Sequence, residues 1–585
     1  MKNYEIIEGN FISFDKTELF YRTWKPKNSN EGDIPGRVLI LLHRGHEHSG
    51  RLQDLVEGIA SDDMWCFAYD GRGHGKNPGP RGYAPDFGFM IKDLNSFVQF
   101  LIEKHNIKME NITIVANSVG AVITSTWVHD YAPKIRAMIL AAPAFYIKLY
   151  VPFALFFLRI LNAFKHPAFI SSYVKSKFLT HDPAEQKKYD SDPLITPQIA
   201  VNILLGLYDH ANRTVIDAAA IHVPTLILSA GSDWVVGGKQ QKQFFDQLSS
   251  TTKEFVEYPT FYHGVLYEKE KNLPFQKSRE FIERVYSQEL FSYNLINADQ
   301  QGYTKQEYEN LLRKSLPLWK AFYYAFTRLM MATFGRLSQG IRIGLNHGFD
   351  SGLSLDYVYE NNPRGITGIG RFIDRCYLDA VGWKGIRARK INLQKNIEET
   401  INRLLKEHRP VRVMDIAAGP GRYLLEVAQK YNRDDVKFLI RDYDPRNIEK
   451  SRLLARELNC KNVEFIQGDA FDPKSFDANN FAPNVIVISG LYELFDDNKM
   501  VANSIMGATS VLQKPGYVIY TGQPWHPQLE LIAHTLPNRD GNRWVMRRRT
   551  QAELDQLFYG SGLVKQDMSI DEWGIFTVSR AQNQQ

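Results

Sequence analysis

Short apolar runs recur along this chain, and stretches of helical character separate them. In the first half the runs are Val38–Leu42, Trp65–Tyr69, Ile112–Ala116, Ala137–Ala141, Pro224–Ser229 and Glu254–Tyr258. Runs this short and this continuously apolar suit strands of a parallel sheet with helices on both faces. The rhythm lapses between Gln288 and Gln301, then returns with a run starting at Val411 and with Val436–Ile440, Val463–Gln467 and Val485–Ser489. A chain of 585 residues exceeds one core at roughly 100–200 residues per domain. The expected fold class is therefore α/β, in two domains. The first spans residues 1–290, with a helical cap inserted at about 144–221. A helical linker and lid, 291–390, joins it to a Rossmann-like domain over 391–585. Phe11 to Trp24 alternates and turns at Asp15-Lys16, as a hairpin does.

Ligands of such sheets gather at the carboxyl ends of the strands, and there the unusual residues lie. Ser118 follows Ile112–Ala116 among small residues that let a strand–turn–helix close. Asp233 follows Pro224–Ser229, and His263 follows Glu254–Tyr258. A serine hydroxyl needs a base to become a nucleophile, and the order Ser, Asp, His is that of the α/β-hydrolase fold. On this reading His263 takes the proton of Ser118 and Asp233 fixes the imidazole tautomer. The N–H groups of Gly45 and Val119 then form an oxyanion hole, at about 3–4 kcal/mol per donor.

Further motifs narrow the family: His43 with Glu47-His48-Ser49-Gly50-Arg51, Asp70-Gly71-Arg72-Gly73-His74-Gly75, and Leu179-Thr180-His181-Asp182-Pro183 with Tyr189 and Asp192-Pro193-Leu194. Residues 1 to about 290 resemble the monoacylglycerol lipase branch of the α/β-hydrolases. Two positions depart from that family: Ala116 stands where it usually has Gly, and Arg44 follows His43 where it has His-Gly. The resemblance implies an acyl-lipid or small ester substrate and a greasy acyl tunnel in the cap. The apolar stretch Phe145–Leu161 carries interspersed basic residues. It reads either as a lid making peripheral membrane contact or as a cap helix packed on the body.

In the second half, Asp415-Ile416-Ala417-Ala418-Gly419-Pro420-Gly421 leads from a strand into a helix, and its glycines let backbone approach a ligand closely. Leu424 stands where a dinucleotide fingerprint wants a third glycine, and no Lys-Ser/Thr pair marks a phosphate loop. Asp442 lies about twenty residues past Gly421, where a carboxylate can bind ribose hydroxyls. Gly468-Asp469-Ala470 and Gly490-Leu491-Tyr492-Glu493 end the next two runs. Residues from about 385 to 580 resemble a class I methyltransferase using S-adenosylmethionine. The resemblance implies that Gly419 and Gly421 approach the methionine part and that Asp415 orients the ammonium group or its loop. It also implies that Asp442 holds the ribose, and Asp469 with Ala470 the adenine edge. Tyr492, Glu493 and His526 are candidates to face the methyl acceptor. Thr550-Gln551-Ala552-Glu553 reads as a capping box.

Other stretches read as supporting structure. Lys305–Ile343 is helical and aromatic, expected to pack, with a second membrane-facing surface as the alternative. Residues 349–390, dense in Gly, Tyr and Arg, suit a lid over a polar ligand or an irregular arm. Arg547-Arg548-Arg549 reads as a solvated basic turn, with an anion site as the alternative. A net charge of +6 gives no warrant for nucleic-acid binding. Three scattered cysteines, Cys66, Cys376 and Cys460, form neither a disulfide framework nor a metal site and suit a reducing compartment. With no signal peptide and no membrane-spanning run, the expectation is a cytoplasmic protein able to sit at the inner face of the membrane. The expected function is bifunctional, a serine ester hydrolase plus a methyltransferase. The alternatives are acyl transfer in place of hydrolysis, or one half serving as a silent binding module.

Overall fold

The computed structural model describes residues 4–29, 32–313, 315–479 and 481–583. The chain forms two compact units, Met1–Tyr293 and Asn294–Gln585.

The first unit is built on an eight-stranded sheet in the order β1-β2-β4-β3-β5-β6-β9-β10. An antiparallel hairpin, β1 (Tyr4–Ile12) and β2 (Glu18–Pro26), forms one edge, with Lys16 at a positive φ of 70° in its turn. The parallel strands are β3 (Val38–Leu42), β4 (Trp65–Tyr69), β5 (Ile112–Asn117), β6 (Ala137–Ala141), β9 (Thr225–Ala230) and β10 (Lys253–Tyr258). Every residue of β3, β4, β5, β6 and β9 is buried, which is why these strands read as unbroken apolar runs. Between β6 and β9 the chain leaves the sheet. It forms the helix Ala154–Phe164, a two-stranded ribbon of β7 (Phe169–Ser171) and β8 (Gln198–Ala200), and the helices Pro183–Asp190 and Val201–Ile216.

The second unit carries a seven-stranded sheet in the order β13-β12-β11-β14-β15-β17-β16. Its parallel part comprises β11 (Val411–Asp415), β12 (Val436–Asp442), β13 (Val463–Gln467), β14 (Val485–Ile488) and β15 (Tyr517–Gly522). An antiparallel pair completes it, β16 (Leu563–Ile570) and β17 (Thr577–Asn583), with β17 inserted beside β15. Strand order reverses between β11 and β14, and a ligand crevice opens at such a switch point.

Residues 349–390 are not an irregular arm, and Gly352, Asp356, Tyr359 and Trp383 among them line a cavity of the second unit. They form the helices Gly352–Glu360 and Gly368–Leu378 and the start of Val381–Lys406, around a core holding Phe349, Tyr357, Leu378, Trp383 and Phe576. Their glycines allow close packing: a Cβ on Gly385 would lie 3.0 Å from the Phe576 ring. The turn Arg547-Arg548-Arg549 is buried rather than solvated. Arg547 pairs with Glu553 at 2.8 Å, Arg548 donates to Pro524 O, and Arg549 donates to Asn498 Oδ1 and the carbonyls of Tyr492 and Phe495. That commitment leaves no open anion site there. No helix among the described residues is long and apolar enough to cross a membrane.

Candidate functional sites

In the first unit β5 runs into Ser118, whose φ and ψ of 54° and −110° place it in a strained turn before the helix Val119–Tyr131. Such a conformation costs on the order of 1–3 kcal/mol and holds a side chain clear of its neighbours. Gly120 makes the turn possible, because a Cβ there would lie 2.8 Å from the carbonyl oxygen of His43. Ala116 sits fully buried inside β5.

His263 Nε2 lies 2.8 Å from Ser118 Oγ, and its Nδ1 lies 2.8 Å from Asp233 Oδ2. The other oxygen of Asp233 accepts the N–H groups of Val235 and Val236. Burial opposes ionisation of Asp233, but His263 and those two N–H groups outweigh it and hold the carboxyl below its ordinary range. All three side chains are buried. The arrangement can pass the Ser118 proton to an imidazole whose tautomer a carboxylate fixes.

Gly45 and Val119 lie side by side at this site. A Cβ on Gly45 would stand 3.1 Å from Val119 Cγ2. Arg44 turns its guanidinium to Glu47, with Nε–Oε2 at 3.0 Å and Nη2–Oε1 at 2.5 Å, and lays it over the Tyr267 ring. His43 donates from Nδ1 to Arg44 O and accepts Gly71 N–H at Nε2; burial lowers its pKa, so it is a neutral spacer beneath the loop. A largely apolar cavity of about 140 Å³ opens at Ser118, walled by Leu149, Ile170, Ile199, Ile203 and Leu207 of the insertion. His48 Nε2 joins the body to that insertion at Asp192 Oδ2, 2.9 Å away.

In the second unit a cavity of about 320 Å³ opens at the switch point, lined by Ala417 to Tyr423 after β11 and by Ser489, Gly490, Leu491 and Glu493 after β14. Gly419 and Gly421 have φ of 61° and 69°, and a Cβ on Gly419 would meet open space. Asp442, at the end of β12, also lines the cavity. Its oxygens accept Gly419 N–H at 2.8 Å, Asp444 N–H at 2.9 Å and Asn447 Nδ2 at 3.0 Å. A carboxylate offers about four acceptor positions, so one is left for a ligand hydroxyl.

The other sequence candidates divide. Asp415 is buried beneath the loop, accepting Ala417 N–H and the Tyr423 hydroxyl, and burial raises its pKa to about 7. It holds the loop from behind and is not part of the cavity wall. Asp469 and Ala470 are not brought to the wall either: Asp469 accepts Phe471 N–H, and Ala470 belongs to the core. Tyr492 turns into the same core, its hydroxyl donating to Ser504 Oγ. Glu493 and His526 do line the cavity. Burial lowers the His526 pKa to about 4. Its Nδ1 accepts Gln528 N–H, so its basic lone pair is already used.

Sequence reasoning missed Arg389. It lines the cavity, donates to Glu493 Oε1 at 3.2 Å and lies over the Phe576 ring. Gly490 was the available signal: its φ is 66°, and a Cβ there would stand 3.1 Å from Arg389 Nη2. Trp383, Ile386, Ile532, Leu536 and Trp544 add an apolar part to the wall, and Asp350, Asp356, Asn447, Gln523 and Arg539 a polar one.

Comparison with known proteins fits this division. Residues 278–583 match the model of a family described as "Putative methyltransferase". The chain belongs to that family. Residues 33–270 match the model described as "Serine aminopeptidase, S33", so this methyltransferase-family chain carries an α/β-hydrolase domain ahead of the family region. "Uncharacterized protein YnbC" of Escherichia coli is 44% identical over 98% of this chain and 97% of its own length. A monoacylglycerol lipase of Mycolicibacterium smegmatis is 24% identical over 46% of this chain and 93% of its own. The rat monoglyceride lipase is 26% identical over 43% of this chain and 82% of its own. Among solved structures, the monoacylglycerol lipase of Paleococcus ferrophilus aligns over 48% of this chain and 99% of its own, with 22% identity and a TM-score of 0.40.

Proposed function

We propose that the first unit is a serine hydrolase that cleaves esters of mono-acylated lipids, and that the second is an S-adenosylmethionine-dependent methyltransferase. The first reading rests on the Ser118–His263–Asp233 chain of hydrogen bonds. Ser118 attacks the ester carbonyl, His263 receives its proton and returns it to the leaving alcohol, and Gly45 and Val119 N–H groups hold the oxyanion. The apolar wall takes the acyl chain. Relatives named as monoacylglycerol and monoglyceride lipases, matched over the first unit, support a glycerol ester. The exposed aromatic face of the helix Ala154–Phe164, with Phe156 and Phe157 outward, suits peripheral contact with a lipid surface.

The second reading rests on the switch-point cavity with Gly419, Gly421 and Asp442 on its rim. Gly419 and Gly421 admit the methionine part, and Asp442 takes a ribose hydroxyl with its remaining acceptor position. S-adenosylmethionine, when bound, supplies an electrophilic methyl group on sulfur. The adenine contact of Asp469 and Ala470 is not part of this proposal.

A fluorophosphonate probe tests the first unit: labelling of the intact chain, absent in Ser118→Ala, is expected, and labelling that persists in Ser118→Ala overturns it. Calorimetry with S-adenosylmethionine tests the second: absence of heat in the intact chain overturns it.

A further inference from the structure

The helix Leu318–Ala332 is amphipathic but faces the opposite way from a helix of a globular core. It packs through its polar side: Lys320 pairs with Glu530 at 2.7 Å, Arg328 donates to His534 O at 2.6 Å, and Tyr324, its one buried residue, stacks on His534. Its apolar side is outside. Leu318 is 90% exposed and Phe322 74%, with Trp319, Phe326 and Leu329 beside them. Phe334 on the next turn, and Phe372 on a helix packed against that turn, are exposed as well. A surface helix of a globular protein normally turns such a stripe inward, and a contiguous exposed apolar patch marks an interaction surface.

Charge decides between occupants. No acidic residue occurs in the sequence between Glu309 and Asp350; Lys320 and Arg328 are turned to the packed side, whereas Arg313 and Arg336 are exposed. Arg336 and Arg371 are exposed around the apolar face. A second copy related by a two-fold axis would set this cationic stretch against itself. An anionic lipid surface complements it, with aromatic side chains in the interface and cations at the headgroups. The same helix has another duty: Thr327 and Met331, on its inner side, line the methyltransferase cavity together with Ile532 and Thr535.

We propose that this helix docks the second unit on an anionic lipid surface and that the methyl acceptor is a lipid entering the cavity from that surface. The acceptor part of this inference rests on the methyltransferase reading, whereas the docking part does not. The test uses the full chain and sucrose-loaded vesicles of phosphatidylcholine with and without phosphatidylglycerol. Trp319→Ser/Phe322→Ser/Phe326→Ser is expected to lower the fraction bound to phosphatidylglycerol vesicles at least ~10-fold, since binding scales with buried apolar area. S-adenosylmethionine binding by calorimetry is expected to be unchanged in this variant. Phe156→Ser/Phe157→Ser, on the other unit, should leave substantial vesicle binding.

Equal vesicle binding by the triple variant and the intact chain overturns the docking. So does loss of all binding in Phe156→Ser/Phe157→Ser, or a self-association of the intact chain that the triple variant abolishes while neither binds vesicles. With methyl-labelled S-adenosylmethionine and vesicles of total Escherichia coli lipid, label in the organic extract is expected. Label found only in water-soluble products of a whole-cell extract overturns the lipid acceptor. If the intact chain binds vesicles but gives no heat with S-adenosylmethionine, the methyltransferase reading fails and the docking stands.

Discussion

At the scale of the residue, Ser118 and Asp415 make opposite uses of burial. Ser118 is held in a strained turn within reach of His263, so its oxygen is free to react only while the imidazole is there. Replacing Asp233 by Asn keeps the packing but permits the wrong imidazole tautomer, and ester hydrolysis is expected to fall ~10⁴-fold, read as kcat on a short-chain monoacylglycerol. Asp415 is buried with only Ala417 N–H and the Tyr423 hydroxyl as partners. Burial raises its pKa to about 7 in the fold, against about 3.9 in an unfolded chain. The folded state therefore holds a proton that the unfolded state releases. Stability from this group is full below about pH 4 and is lost as pH rises towards 7. Thermal melting of Asp415→Asn, compared with the intact chain, should show a weaker fall over that window. Equal pH slopes for the two proteins would mean that Asp415 titrates normally.

At the scale of the element, the parallel strands were legible because a strand buried on both faces has to be apolar throughout. The catalytic candidates of the first unit were legible because Ser118, Asp233 and His263 follow three of those strands in the chain order of the α/β-hydrolase fold. Other elements were hidden by physics that a one-dimensional pattern does not carry. Glycines in 349–390 suited a lid or an irregular arm, yet Gly385 lies inside a helix and allows a ring to close upon it; a Cβ there would stand 3.0 Å from Phe576. Periodicity exposed the amphipathic helix Leu318–Ala332 but not which face is inside, since Glu530 and His534, its polar partners, lie some two hundred residues away. The basic turn before the helix Gln551–Gly560 hid its burial in the same way, because Asn498 and the carbonyls that satisfy it are distant in sequence. That turn makes a prediction. Glu553 is 1% exposed and is the acid facing both Arg547 and Arg549, so Glu553→Ala strands two buried cations. Breaking a buried pair by removing one partner costs about 3–5 kcal/mol, which denaturant unfolding followed on the second unit would register as a lowered midpoint. An unchanged midpoint would mean that water reaches those guanidinium groups.

At the scale of the whole molecule, each candidate site lies within one unit. Ser118, Asp233, His263 and the wall of their cavity all lie before residue 294; Gly419, Asp442, Arg389 and the wall of theirs all lie after it. The core clusters divide likewise, one around Leu39 and Val115, others around Val413 and Ile486. Energetic coupling between sites needs an element with two arrangements that both sites bias, and among the described residues no side chain lines both cavities. The sites should then fail separately. Asp442→Ala removes the carboxylate offered to ribose and should weaken S-adenosylmethionine binding by about 10–100-fold, the worth of one hydrogen bond to a charged group. Its fluorophosphonate labelling rate should match that of the intact chain. Ser118→Ala should abolish labelling and leave the binding isotherm for S-adenosylmethionine where it was. A labelling rate that changes when S-adenosylmethionine is added to the intact chain, and ceases to change in Asp442→Ala, would show instead that the two chemistries are linked through a shared conformational equilibrium.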